Sequence, residues 1–183
     1  LAELNGKKLV RIVAEQALAS KASPVIVVTG HQGAEVEAAL KGLNVKFVHN
    51  PAFADGLATS VKAGVGAVPD GTDGAVILLG DMPLIDAKLV DRLLDTFAPD
   101  RGSLIVVPVA GGRRGNPVLW SRRFFSELMT LDGDVGARHL IARHMEAVTE
   151  IEVQGKSAFL DIDTPEMLSD ARKGSLRIGA GGA

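Results

Sequence analysis

Ala75-Val76-Ile77-Leu78-Leu79-Gly80-Asp81-Met82-Pro83 is the stretch that decides the fold. Five apolar residues in a row, stopped by a glycine, have the length of a strand and are too short for a helix. The run is continuous rather than alternating, so both faces of the strand must be covered. That is the pattern of a parallel sheet with helices on either side. Gly80 permits a sharp exit and close backbone approach. Pro83 blocks continuation of the strand. Asp81 is thereby held at the carboxyl end of a central strand.

Working outward, apolar runs and amphipathic runs alternate along the chain. Residues 25–29, 45–49, 104–107, 148–153 and 159–162 read as further strands. Residues 8–20 place Leu9, Ile12, Val13, Ala17 and Leu18 on one helical face. Residues 33–41, with Val36, Ala39 and Leu40 inward, and 58–68, with Val61, Val65 and Val68 inward, read as helices. So do residues 86–97, with Asp86 as N-cap, and 124–130, 137–144 and 165–172. Strand–helix alternation implies βαβ units. The expected fold class is therefore α/β, a three-layer Rossmann-like sandwich with a mostly parallel sheet. Residues 1–175 are expected to form one domain. Residues 176–183, rich in glycine, are expected to be a flexible tail.

Composition narrows the function. A chain of 183 residues with 46% hydrophobic residues can bury a core without a staple. It has no cysteine, which removes disulfides, thiolate metal sites and cysteine nucleophiles. This fits a reducing compartment, and no signal peptide or membrane-length apolar run is seen, so the expected location is cytoplasmic. A net charge of −2, with six Phe, one Trp and no Tyr, argues against a nucleic-acid surface. His139 and His144 are five residues apart, about 140° around a helix, which lacks the spacing of a zinc helix.

In an open α/β sheet, ligands bind at the carboxyl ends of the strands, so the loops there carry the chemistry. Asp81 suits Mg²⁺ bearing a triphosphate, because Mg²⁺ takes few carboxylates and completes its shell with phosphate oxygens. It equally suits a purely structural turn. Residues 50–60 (Asn50-Pro51-Ala52-Phe53-Ala54-Asp55-Gly56-Leu57-Ala58-Thr59-Ser60) lead into a helix, and offer either donors to a phosphate or base, or helix caps at Thr59 or Ser60. Residues 111–117 (Gly111-Gly112-Arg113-Arg114-Gly115-Asn116-Pro117) can wrap an anion through bidentate arginine contacts, or form a solvated hairpin loop. Residues 132–138 can bring Asp134 and Arg138 to a ligand, or simply start a helix. Asp161 and Asp163 lie two apart on a strand and share a face. Asp163 or Thr164 is also a good N-cap, ahead of Pro165 at the first helical position.

The loops are more specific together than singly. Val-Ile-Val-Val-Thr-Gly-His (25–31), Val-His-Asn-Pro (48–51), Gly-Leu-Ala-Thr-Ser-Val-Lys-Ala-Gly (56–64), Leu-Leu-Gly-Asp-Met-Pro-Leu-Ile (78–85), Arg-Arg-Gly-Asn-Pro-Val-Leu-Trp (113–120), Gly-Asp-Val-Gly-Ala-Arg (133–138) and Asp-Ile-Asp-Thr-Pro-Glu (161–166) follow one another in this order. The set resembles the MobA-like NTP transferase family, and within it the molybdenum cofactor cytidylyltransferases, over residues 4–171. The resemblance implies a nucleotidyltransferase that moves CMP from CTP to the terminal phosphate of molybdopterin and releases pyrophosphate, with Mg²⁺ as cofactor. Its partners would be a nucleotide, a pterin and a molybdoenzyme or its chaperone, with no nucleic acid and no membrane. Alternatives are a transferase using GTP or another acceptor, and a non-catalytic pterin carrier.

By the same resemblance Asp81 is the catalytic and metal-binding carboxylate, and Asp163 joins it at the metal. Thr29, Gly30, Asn50, Thr59, Ser60 and Gly80 face the nucleotide. Met82, Pro83, Arg114, Gly115, Asn116, Asp134, Arg138 and Asp161 face the second substrate. The family pattern opens with a strand and a Gly-rich loop that cradles the triphosphate. This sequence starts at Leu1-Ala2-Glu3-Leu4-Asn5-Gly6, after that point. Without the cradle, little transferase activity is expected.

Overall fold

The computed structural model describes residues 1–133 and 137–154. The strand and helix expected at 159–162 and 165–172, and the tail, lie outside the described residues. So do Asp134, Asp161 and Asp163.

The chain opens with a hairpin of β1 (Glu3–Leu4) and β2 (Lys7–Lys8). Its turn places Asn5 and Gly6 at φ of 51° and 79°. Asn-Gly is the pair that tolerates two left-handed positions in a tight hairpin, a signal the sequence carries and the reading above passed over. Helix α1 (Leu9–Ala19) follows and buries Leu9, Val13, Ala14 and Ala17. Then come β3 (Ile26–Thr29), α2 (Gly33–Ala39) and β4 (Lys46–His49). Strands β3 and β4 pair in parallel. Helix α2 is shorter than expected, and only Leu40, at its end, is buried.

Helix α3 (Leu57–Gly66) leads to β5 (Gly74–Ile77) and α4 (Ala87–Thr96). Asp86 caps α4 as expected, its Oδ1 accepting from the Leu89 N–H at 2.8 Å. Strand β6 (Ile105–Ala110) turns through Gly111 and Gly112 into β7 (Arg113–Arg114), and the chain returns along β8 (Val118–Ser121). Helices α5 (Phe125–Leu128) and α6 (Arg138–Arg143) precede β9 (Val148–Glu152).

The five-stranded sheet has β8 between β5 and β6, antiparallel to both, while β9 runs parallel to β6. The central sheet is thus mixed: β5, β6 and β9 share one direction, and β7 and β8 oppose it. The reason is local. Only a short turn joins β6 to the returning strands, and a parallel return would need a crossover of a dozen or more residues.

Residues of the inner strands alternate between two cores. Ile105, Val107, Val109, Val118 and Trp120 face α3, α5 and α6 in one cluster. Val106, Leu119 and Ile151 face α4 through Val90 and Leu93 in the other. Contacts tie α1 to both α4 and α2. The result is three layers, consistent with the expected class.

One expectation needs correction. Residues 75–79 are expected to form a clearly buried strand covered on both faces, yet β5 and most of β3 are only half-buried. Between them lies a cavity of about 640 Å³ lined by apolar residues of β3, β5, α1 and α3, among them Val27, Val28, Ala75 and Ile77. Among the described residues β3 pairs only with β4, and β5 only with β8. Two facing strand edges thus border an apolar slot one strand deep.

Asp86→Ala is expected to cost about 1 kcal/mol of stability, the usual loss for a helix cap, with Asp86→Asn near wild type. Urea unfolding monitored by circular dichroism measures both.

Candidate functional site

Asp81 lies in the turn beyond the carboxyl end of β5, half-buried, with its Oδ1 fully buried. It is followed by Met82, which is 1% exposed and packs with Ile85, Leu89 and Val90. Pro83 is buried as well. These two side chains belong to the core, which corrects the expectation that they face a substrate. They anchor the turn that holds Asp81. Gly80 and Asp81 make the sharp turn after β5, where the Met82 N–H donates to the Leu79 carbonyl at 3.4 Å. Gly80 is exposed and its φ is not positive, and a Cβ there would meet only Val10, at 3.7 Å, so the turn does not depend on glycine's left-handed freedom.

At the carboxyl ends of β3 and β4 the arrangement is different. Asn50 is 3% exposed, and its side chain is fully used. Its Nδ2 donates to Thr59 Oγ1 at 2.8 Å and to Ser60 Oγ at 3.1 Å, and its Oδ1 accepts from the Ala52 N–H at 3.0 Å. The Thr59 hydroxyl can donate to the Ala52 or the Gly56 carbonyl, at 2.9 and 2.8 Å. Helix α3 is capped at Gly56, φ 106°, without a side-chain bond. Asn50 thus bonds to both Thr59 and Ser60, and none of the three caps the helix. They form a clasp that fixes the loop between β4 and α3.

That loop carries Phe53, the first residue of a single 3-10 turn (Phe53–Asp55). Phe53 sits directly on Gly30: a Cβ at Gly30 would lie 2.5 Å from Phe53 Cβ and 2.9 Å from its Cγ. Gly30 is glycine because of this approach. Beside it the His31 and Phe53 rings are 5.9 Å apart, tilted by 48°. Thr29 is 2% exposed and points under α2, where a Cβ on Gly33 would come within 3.3 Å of its Oγ1. That hydroxyl finds no hydrogen-bond partner among the described residues.

Arginines stand at the carboxyl end of β6 and at the start of α6. Arg113 and Arg114 are exposed on β7, and Arg138 is exposed at the start of α6. Arg114 Nε donates to Glu150 Oε1 on β9 at 2.6 Å. An exposed pair of this kind contributes at most about 1 kcal/mol, so an incoming phosphate can compete for the guanidinium. Gly115 N–H donates to the Pro108 carbonyl at 2.9 Å, and Asn116 is half-buried beside it. Ala58 N–H, at the start of α3, donates to the Gly133 carbonyl at 3.2 Å. The aromatic pair and the Asn50 clasp were not legible in the sequence. The clasp joins residues nine and ten apart, and no local pattern marks such a contact.

A carboxylate beyond the end of β5, a glycine-floored loop after β4 and exposed arginines on β7 are the polar features of the loops at the carboxyl ends of these strands. Residues 1–148 match the MobA-like NTP transferase domain. The chain belongs to the MobA-like NTP transferase family. It is a nucleotidyltransferase of that α/β fold. It is 30% identical over 152 residues to the molybdenum cofactor cytidylyltransferase of Escherichia coli, covering 82% of this chain and 75% of that protein. It is 34% identical over 155 residues to the bifunctional protein GlmU of Acidovorax ebreus, covering 80% of this chain but only 29% of that protein. The fold is shared with Rv0371c of Mycobacterium tuberculosis, at a TM-score of 0.82 and 24% identity, over 94% of this chain and 87% of that one. The same mycobacterial protein has been seen in complex with manganese. Among the described residues of the present chain no helix is long and apolar enough to cross a membrane.

Gly30→Ala is expected to force Phe53 out of place and to destabilise the fold by about 1–3 kcal/mol, the range for overpacking. Removing the clash with Phe53→Ala in the same molecule should recover most of that loss. Denaturant unfolding of the two single variants and the double variant gives the coupling directly.

Proposed function

We propose that this transferase moves CMP from CTP to the terminal phosphate of molybdopterin, releasing pyrophosphate. The observation that carries the reading is the half-buried Asp81 carboxylate, anchored by Met82 and Pro83 at the end of β5. The likeness to a molybdenum cofactor cytidylyltransferase over most of both chains supports the choice of substrates. In the reaction an acceptor phosphate oxygen forms a bond to the α-phosphorus of CTP. The bond from that phosphorus to the bridging oxygen breaks, and the electron pair leaves with pyrophosphate. No covalent enzyme intermediate is required.

Asp81 fits a divalent cation. No cluster of three His, Asp or Glu side chains that could hold a metal occurs among the described residues, and Mg²⁺ bound through phosphates needs only one or two protein carboxylates. Bound there, Mg²⁺ would neutralise charge on the triphosphate and the departing pyrophosphate. Asp163 is proposed as a second carboxylate at that ion. The chain's own work is positioning. Gly80 and the β3–β4 side, with Thr29, Gly30, Asn50, Thr59 and Ser60, would hold the nucleotide. Arg114, Gly115, Asn116, Asp134, Arg138 and Asp161 would hold the pterin phosphate. A transferase using GTP or another acceptor, and a pterin carrier, are the competing readings. A carrier binds pterin and releases no pyrophosphate from CTP.

Asp81→Asn is expected to lower turnover on the order of 100-fold or more, as for loss of one preorganised charge-stabilising group, with the fold intact. Pyrophosphate release from CTP in the presence of molybdopterin measures it. A folded Asp81→Asn protein with near-normal turnover would remove Asp81 from the metal.

The apolar slot supports a second expectation. Helix α1 starts near Gly80, where Val10 lies, and its Ala17 lines the slot with Pro24 and Val25 near the start of β3. It therefore runs antiparallel to β3 and β5. A strand feeding α1 from within the slot would lie parallel to both, and α1 would make the usual right-handed crossover to β3. The family's opening strand and Gly-rich loop are proposed to occupy this place. Extending the chain by that segment should raise MgCTP affinity strongly, read by isothermal titration. Equal affinity and turnover with and without it would overturn this placement.

A further inference from the structure

The first turn of a helix leaves its leading N–H groups without partners inside the helix. In α4 the Asp86 side chain accepts from one of them, Leu89, at 2.8 Å. The Ala87 N–H finds its acceptor elsewhere: Gln16 Oε1, on α1, at 3.0 Å and 71 residues away in the chain. Asp86 already starts the helix, so a cap this remote has a different effect. It fixes the first residue of α4 to one place on α1.

Gln16 is half-buried, six residues after Val10, which is roughly 9 Å along the helix axis. Val10 lies within 3.7 Å of where a Gly80 Cβ would stand. Helix α1 therefore touches the chain on both sides of Asp81, at residue 80 and at residue 87. Between these points the backbone has little slack. The Met82 N–H donates to the Leu79 carbonyl at 3.4 Å and the Ile85 N–H to the Met82 carbonyl at 3.2 Å. Met82 and Ile85 are buried in one cluster with Leu89 and Val90. A displacement of Ala87 is thus passed back through two tight turns and a packed core to Asp81.

We propose that Gln16 is a positioning residue for the transfer reaction: by holding Ala87 it sets where the Asp81 carboxylate stands relative to α1. This rests on the reading of Asp81 as the metal carboxylate and adds the residue that aims it. Where catalysis is mostly alignment, a displacement of about 1 Å can cost on the order of 100-fold in rate. Loosening one of two contacts on the turn is expected to cost less.

The test uses the full chain with Mn²⁺ and CTP as probes. Gln16→Met keeps the length of the side chain and removes the acceptor, and Gln, Met and Glu have similar helix propensities, so α1 itself is undisturbed. With a native circular dichroism spectrum, Gln16→Met should lower kcat on CTP and the pterin on the order of 10-fold. Mn²⁺ binding at saturating CTP, read by water-proton relaxation, should weaken severalfold. The KM for CTP at saturating metal should not change. Gln16→Glu keeps an oxygen at the same reach and should restore both readouts. Gln16→Asn, one methylene too short to reach Ala87, is read in the same way if Gln16→Met does not fold. Adding Gln16→Met to Asp81→Asn should cost little further turnover, because the two residues act as one unit. The proposal is overturned if folded Gln16→Met binds Mn²⁺ and turns over like wild type while Asp81→Asn is impaired; the metal reading then stands without it. It is also overturned if Gln16→Glu is as impaired as Gln16→Met, since the loss would then come from packing rather than from the acceptor. If Asp81→Asn itself binds Mn²⁺ and turns over like wild type, the metal reading fails and the positioning role fails with it.

Discussion

Strand β8 is the constraint on which the rest of the sheet depends. Its four residues are all buried, and it is hydrogen-bonded on both edges. Trp120 stands opposite Ala75 on one side and Ile105 on the other, and Leu119 opposite Val76 and Val106. The same strand feeds both cores, Trp120 into one and Leu119 into the other. Its backbone also dictates a residue on β5: a Cβ at Gly74 would lie 2.6 Å from the Trp120 carbonyl, so only glycine fits. Without β8, β5 would share no ladder with β6 among the described residues, and the turn bearing Asp81 would lose its fixed position relative to the arginines.

This strand was the part of the fold least legible in the sequence. Val-Leu-Trp-Ser is shorter than a typical strand and follows Gly-Gly-Arg-Arg-Gly-Asn-Pro, which reads as loop. Nothing local marks a four-residue run as the middle of a sheet; its burial comes from β5, some forty residues earlier, and β6. By contrast β5, α4 and the Asp86 cap were legible, because apolar runs, amphipathic periodicity and capping are local properties. The burial of β5 was overestimated for the opposite reason. A continuous apolar run reports the surroundings a strand is suited to, and here one edge meets a slot rather than a neighbour.

The site shows the same division. Asp81 could be placed at a strand end from nine residues of sequence. The roles of Asn50, Thr59 and Ser60 could not. Asparagine, threonine and serine before a helix suggest capping or anion contacts, and both readings assume that the side chains act on nearby backbone or ligand. In the fold Asn50 bonds to both Thr59 and Ser60 across the loop, besides local bonds to the Ala52 and Gly56 backbone. A buried, satisfied polar cluster of this kind rigidifies what it holds. What it holds here is the loop that bears Phe53.

The backbone bond from Ala58 to Gly133 ties the start of α3 to the turn at Gly133. Ala58 is 1% exposed, one residue ahead of Thr59 in the clasp, so the start of α3 cannot shift without disturbing both the Phe53 loop and that turn. The Phe53 loop and the turn at Gly133 are thus tied at one point of backbone, while the turn bearing Asp81 is set separately by β5 and β8.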